Sequence, residues 1–175
     1  MDFARVLQIL AEFFDAREAR WGVIGGLAMA VHGSPRTTLD VDIVADGDLQ
    51  EPLIGYLESL GFTTLHRSSG YSNHLHEDAD LGRIDVVYVR GSTSREIFAG
   101  AERHQGPGGL GIPVPKPEHL AAMKAFAIRN DRSRTLRELA DIRVLLDTPG
   151  VDRAEVERYF ERYGLEHLLD RLADH

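Results

Sequence analysis

The chain contains no cysteine in its 175 residues, which excludes disulfides and thiolate metal sites. It also lacks any apolar run of membrane-spanning length. Its first ten residues, M-D-F-A-R-V-L-Q-I-L, break their apolar positions with charge every few residues. That pattern fits neither a secretory signal nor a membrane span, so the expectation is a cytoplasmic protein with no membrane partner. Basic residues are the minority, 20 Lys and Arg against 28 Asp and Glu, for a net charge of -8. A global acidic field opposes nonspecific nucleic-acid binding, whose affinity is largely phosphate neutralisation. Arg129, Arg132, Arg134, Arg137 and Arg143 form a local exception. The cluster reads either as the solvated face of two helices or as a phosphate- or RNA-facing patch.

With 43% hydrophobic and 27% charged residues, the chain has the make-up of an ordinary globular domain. Phe3, Val6, Leu7, Leu10, Phe13 and Phe14 recur at helical spacing, which predicts an amphipathic helix over about 3–18 with Asp2 as its cap. A short strand at 21–24, a helix at 27–32, a strand at 38–45 and a helix at 49–60 follow. A weaker strand is expected at 62–65 and a strong one at 83–89. The polar stretch 66–82 reads as an irregular excursion or a hairpin, and G-P-G-G-L-G-I-P-V-P-K-P at 106–117 as punctuation. Beyond it the pattern is helical, over 118–130, 135–146, 153–163 and 165–172, with Thr135 and Asp152 as caps. The fold class expected is α/β (α+β), a mixed sheet flanked by helices. Residues 1–115 would form the α/β core, and 116–175 a C-terminal helical segment packed on it.

The chemistry concentrates in V-I-G-G-L-A-M-A-V-H-G-S-P-R-T-T-L-D-V-D-I-V, residues 23–44. In a strand of period two, Asp40 and Asp42 point the same way, with Leu39, Val41 and Ile43 opposite. Two carboxylates held this close repel unless a cation lies between them. Hard oxygen ligands suit Mg²⁺ or Mn²⁺, commonly shared with substrate phosphates. Asp85, in R-I-D-V-V-Y-V, emerges beside Val87 and Val89, where an unpaired carboxylate would be costly and a metal would relieve it. The alternative is a lone aspartate on an edge strand. Gly25-Gly26 closes one element and opens a helix, which bares backbone N–H groups suited to an anion. The plain alternative is a tight turn that needs glycine for geometry alone.

These residues carry a resemblance. G-G-L-A-M-A-V-H-G-S-P-R-T-T-L-D-V-D with the distal I-D-V-V resembles the DNA polymerase β-type nucleotidyltransferase superfamily, and within it the small bacterial AbiEii-like enzymes of the abortive-infection toxin kind. P-K-P-E-H-L-A-A-M-K and R-E-L-A-D-I resemble that family's C-terminal lysine and aspartate motifs. The resemblance implies a Mg²⁺-dependent transferase that moves an NMP from an NTP, ATP included, to a hydroxyl acceptor. Asp40 and Asp42 would hold two Mg²⁺ ions, with Mn²⁺ as a substitute, and Asp85 would share one and activate the acceptor. Gly25 and Gly26 would cradle the phosphates. Many members carry serine where this chain has Gly26, which leaves the backbone amides and Thr37 or Thr38 to contact phosphate. The acceptor implied is a tRNA or other RNA end, a protein or a small molecule, and the toxin likeness adds a cognate antitoxin as partner. The other reading is a weakly active or inactive nucleotide- or partner-binding module on the same fold.

Two cations join this set. Arg36 stands four residues before Asp40, as a phosphate contact or as a structural ion pair. Lys124 borders a face made by Leu120, Met123, Phe126 and Ala127, so it either snorkels or points into a site, the resemblance favouring the triphosphate. Asp141 matches the last motif or is a surface acid beside Arg137. Three strings are set aside. G-P-G-G-L-G at 106–111 lacks the strand and helix that a dinucleotide turn needs. His74-Leu75-His76 lacks further zinc ligands and reads as polar loop, and His32 reads as structural.

Overall fold

The computed structural model describes residues 1–35 and 37–173. They form two compact units, one of Met1–Val31 with Pro35–Pro115 and one of His32–Ser34 with the chain from Lys116 onward.

The first unit opens with α1 (Phe3–Asp15), capped where Asp2 Oδ1 accepts from the Arg5 amide at 3.0 Å. Its apolar stripe is buried at Val6, Leu7, Leu10, Phe13 and Phe14. Phe14 stacks on Trp21 of β1 (Trp21–Val23) with centroids 5.1 Å apart. After α2 (Gly25–Val31) come β2 (Asp40–Asp46), α3 (Gln50–Ser59), β3 (Thr63–Ser68), β4 (Tyr71–Leu75) and β5 (Arg83–Val89). Among the described residues the strands make a five-stranded sheet of order β1-β2-β5-β4-β3. β2 and β5 are parallel, and the other pairs are antiparallel. One face of the sheet carries Val41, Ile43, Ile84, Val86 and Tyr88, all buried, as are Leu53, Ile54 and Leu57 of α3. The unit continues with α4 (Gly91–Ala99) and a hairpin of β6 (Glu102–Gln105) and β7 (Gly111–Val114).

The second unit holds α5 (Pro117–Asn130), α6 (Thr135–Leu146), α7 (Arg153–Tyr163) and α8 (Asp170–Ala173). Asp152 caps α7 through the Glu155 amide at 3.1 Å. Thr135 is not a cap: it is already helical, and its hydroxyl donates back to the Arg132 carbonyl at 2.7 Å. The helix expected over 165–172 is broken into a 3₁₀ turn at Glu166–Leu168 and α8.

Two further expectations change, and one open alternative is decided. β2 begins at Asp40, so Leu39 does not join the buried face and is 80% exposed. The stretch 66–82 resolves as the hairpin of β3 and β4, with β4 inside the sheet. His74 therefore lies in a strand rather than a loop, and it is fully buried. Thr64 donates to Glu58 Oε1 at 2.7 Å and sits 3.1 Å from His74 Nδ1, while Ser72 Oγ is 2.8 Å from Nε2. Nδ1 thus carries the proton and Nε2 accepts from Ser72. Burial holds this imidazole below its usual range.

Candidate active site

The register fixes the site. In the parallel pair, Asp42 lies opposite Asp85 and Asp40 opposite Arg83. Period two puts all four on the sheet face away from Val41 and Ile84. The result is a two-by-two square of three acids and one arginine. A carboxylate oxygen from each of Asp40, Asp42 and Asp85 falls within 4.8 Å of the others. β5 is central, so the alternative of a lone aspartate on an edge strand does not apply.

Each acid has a distinct setting. Asp40 Oδ1 accepts from the Thr38 hydroxyl at 2.7 Å, which fixes its rotamer. Asp42 is positioned through its own backbone, since its carbonyl accepts from the Ile24 amide at 2.9 Å. Asp85 is gripped by a fork: Arg83 Nε donates to Oδ1 at 2.8 Å and a terminal guanidinium nitrogen donates to Oδ2 at 3.2 Å. The Tyr71 side chain, on β4, lies beside Arg83 and Asp85. Burial, then the Asp85 charge, pushes the Tyr71 phenol up, and its bond to Asp85 raises Arg83 further above its already high range. Asn73 lies directly opposite Asp85 on β4, and its carboxamide oxygen is buried without a hydrogen-bond partner.

The glycine pair has a geometric reason as well as a chemical one. Gly25 adopts φ +62°, and a Cβ there would stand 1.9 Å from Asp42 Oδ2. A Cβ on Gly26 would stand 2.7 Å from Thr38 Cβ and 2.9 Å from its Oγ1. Thr38 thus fills the space that a side chain at position 26 would need. Gly25→Ala is expected to combine about 1–2 kcal/mol of left-handed strain with displacement of Asp42, visible as a lowered unfolding midpoint and lost activity. Gly33, at φ +84° with nothing within 4 Å of its Cβ position, is the control. Its alanine variant should show the strain alone, and equal losses in the two would remove the argument from close approach.

The other expected residues are placed as follows. Thr37 is exposed in the stretch before β2, and Arg36 lies outside the described residues. Lys124 does not snorkel: its side chain is 12% exposed and meets Glu138 at 3.0 Å and Asp141 at 2.5 Å, both on α6. Asp141 is accordingly buried against Lys124 rather than a surface acid. Sequence reading missed Arg83, Tyr71 and Asn73. R-I-D held a signal for Arg83, because the residue two before a strand aspartate shares its face. Tyr71 and Asn73 became visible only once Y-S-N-H-L was a strand.

The donor set suits a hard divalent cation, since three carboxylates converge with no thiolate or imidazole among them. No helix is long and apolar enough to cross a membrane among the described residues.

No protein-family model matches the sequence, and no curated protein does. Solved structures do match. The antibiotic-resistance factor ANT(2'')-Ia superposes with a TM-score of 0.69 at 16% identity, over 98% of this chain and 100% of its own. An antigenic nucleotidyltransferase-like protein from Paracoccidioides brasiliensis gives 0.57 at 16%, over 98% and 92%. The lincosamide antibiotic adenylyltransferase LnuA, in its lincomycin-bound form, gives 0.53 at 17%, over 82% and 96%. At these identities the likeness is one of fold, and the fold that this chain shares is that of the nucleotidyltransferases.

Proposed function

We propose that this chain transfers an NMP from an NTP to a hydroxyl acceptor. The observation that carries the reading is the convergence of Asp40, Asp42 and Asp85 on one sheet face, with Gly25 kept free of a side chain against Asp42. Asp40, Asp42 and Asp85 are the residues that would hold Mg²⁺ or Mn²⁺. Bound divalent cations would offset charge at the reacting phosphate and on the leaving pyrophosphate. The Gly25-Gly26 amides, with Thr37 and Arg36, would face the phosphates. The acceptor oxygen attacks the α-phosphorus, the bond to the bridging oxygen breaks, and pyrophosphate leaves with that electron pair. The acceptor proton passes to an Asp85 carboxylate oxygen. Support for the donor also comes from a CCA-adding enzyme in complex with ATP, which shares the fold at a TM-score of 0.51 and 17% identity over 44% of its own chain.

Small-molecule acceptors enter through two neighbours, ANT(2'')-Ia in complex with adenylyl-2''-tobramycin and LnuA with lincomycin. RNA ends and protein side chains are the macromolecular alternatives, and in a toxin-like role a cognate antitoxin would neutralise the activity on co-expression. The test uses each α-labelled NTP with Mg²⁺ and three acceptor pools: aminoglycosides and lincosamides, total bacterial RNA, and cell extract. Label should move onto one pool and stay on the NTP with Asp42→Ala. NTP binding without transfer to any pool would instead identify a nucleotide-binding module.

A further inference from the structure

We infer that the outer edge of α7, with Phe126 of α5 beside it, binds single-stranded RNA, which gives the transfer proposed above its acceptor class. The acceptor role rests on that reading, and the binding surface does not.

α7 contains a short repeat. E-R-Y-F-E-R-Y at 157–163 has a period of four, so like residues fall about one helical turn apart on the same side. Three rows result: Glu157 with Glu161, Arg158 with Arg162, and Tyr159 with Tyr163. Val156 and Phe160 are the residues of α7 that are buried. The tyrosine row borders them and is half-buried, while the arginine row beyond it is exposed. α5 extends the aromatic row. Tyr163 meets Phe126 at 5.6 Å between ring centroids, and Tyr159 meets His119 at 6.5 Å. Phe126 is 48% exposed, so a large apolar ring lies open beside the cations.

The charge along this edge is not spent internally. A groove on it is lined by Glu155, Arg158, Tyr159 and Arg162. Its one acid is already engaged, since Lys116 Nζ donates to Glu155 Oε2 at 2.6 Å and the Tyr159 hydroxyl donates to Oε1 at 3.1 Å. Arg158 meets Asp152 only at 3.8 Å with both side chains exposed, a pair of little worth. Arg162 and Arg129 form no ion pair among the described residues, and Arg129 neighbours Phe126 at i+3 on α5. Elsewhere in the cluster at 129–143, Arg134 is committed to Glu138 and Arg143 to the Arg171 carbonyl. A cationic row beside an aromatic row matches the two sides of a single strand, phosphates along one and flat base faces along the other. A duplex keeps its base faces stacked and is bound through backbone and shape, which would leave the aromatic row unused.

Fluorescence anisotropy of a labelled oligoribonucleotide, on the full chain and without NTP, tests the surface. Phe126→Ala should weaken binding about tenfold, the scale of one lost base stack, and leave the salt dependence unchanged. Arg129→Gln combined with Arg162→Gln should flatten the slope of log K against log salt by about 1.4, since each single-strand phosphate contact carries about 0.7. Unfolding midpoints of these variants should stay near the parent's, because Phe126, Arg129 and Arg162 are all exposed. A duplex of the same sequence should bind more weakly and be indifferent to Phe126→Ala. RNA binding that ignores Phe126→Ala would reduce the attraction to plain charge and overturn the surface. No binding by the parent, or tighter binding of polyglutamate than of RNA, would overturn it too, the latter in favour of an acidic protein partner. Failure of the transfer reading looks different: the parent would hold RNA with the expected variant pattern yet move no label from any α-labelled NTP onto it.

Discussion

Asp42→Asn is expected to lower nucleotidyl transfer by about 10²–10³-fold while moving stability by no more than about 1 kcal/mol. Asparagine keeps the shape of the side chain, so the close approach of Gly25 to position 42 survives. What disappears is one negative charge at the centre of the square, opposite Asp85 and two residues from Asp40. A cation placed by three carboxylates would then be held by two, and stabilisation of charge developing at the phosphate falls with it. Stability should respond weakly because two changes oppose. The variant loses whatever Asp42 contributes to its surroundings, and it also relieves the crowding of three acids. Aspartate is a poor strand former, and residues that break a local rule mark sites kept for function. Transfer assays beside thermal unfolding in chelator check both halves. Retained activity would remove Asp42 from the chemistry, and a collapse in stability would make it a structural carboxylate.

That rule-breaking is why the site was more legible in the sequence than the sheet around it. Asp40, Asp42 and Asp85 stood out as acids in strand-like contexts, and period two was enough to put the pair on one face. The order β1-β2-β5-β4-β3 was not readable, because which strand lies beside which depends on packing that no local pattern encodes. β4 was hidden for a different reason. Ser72, Asn73 and His74 look like loop residues, and only the satisfied chain Thr64–His74–Ser72–Tyr88 lets them lie in a strand. β6 and β7 were masked by the glycines and prolines of the turn between them. α4, G-S-T-S-R-E-I-F-A, buries only Ser94, Ile97 and Phe98, too few for a visible stripe. Lys124 shows the opposite limit. Its position on a helix border was clear, but its partners come from another helix and could not be inferred.

Those partners set the second large expectation: Lys124→Met should destabilise the 175-residue chain by about 3–5 kcal/mol, lowering its unfolding midpoint by about 10 °C. Methionine preserves the apolar stem, so the loss is one of charge. The ammonium bridges Glu138 and Asp141, whose side chains are 3% and 8% exposed. Without it two buried carboxylates face each other, with Arg134 left to serve Glu138 through bonds at 3.0 and 2.5 Å. The pH dependence follows. Burial pushes Glu138 up, but Lys124 and Arg134 pull harder, so its carboxyl lies below the usual range. A folded value below the unfolded one gives stability that is fully present above the unfolded value, about 4.5. That stability is lost as pH falls through the folded value. Parent and variant should therefore differ most near neutral pH and converge in acid, measured by denaturant unfolding at pH 7 and pH 4. Adding Glu138→Gln to Lys124→Met should restore part of the loss, because one stranded charge is gone. Unchanged stability with a raised KM for the NTP would point elsewhere, to a lysine that serves the triphosphate and only rests between these acids.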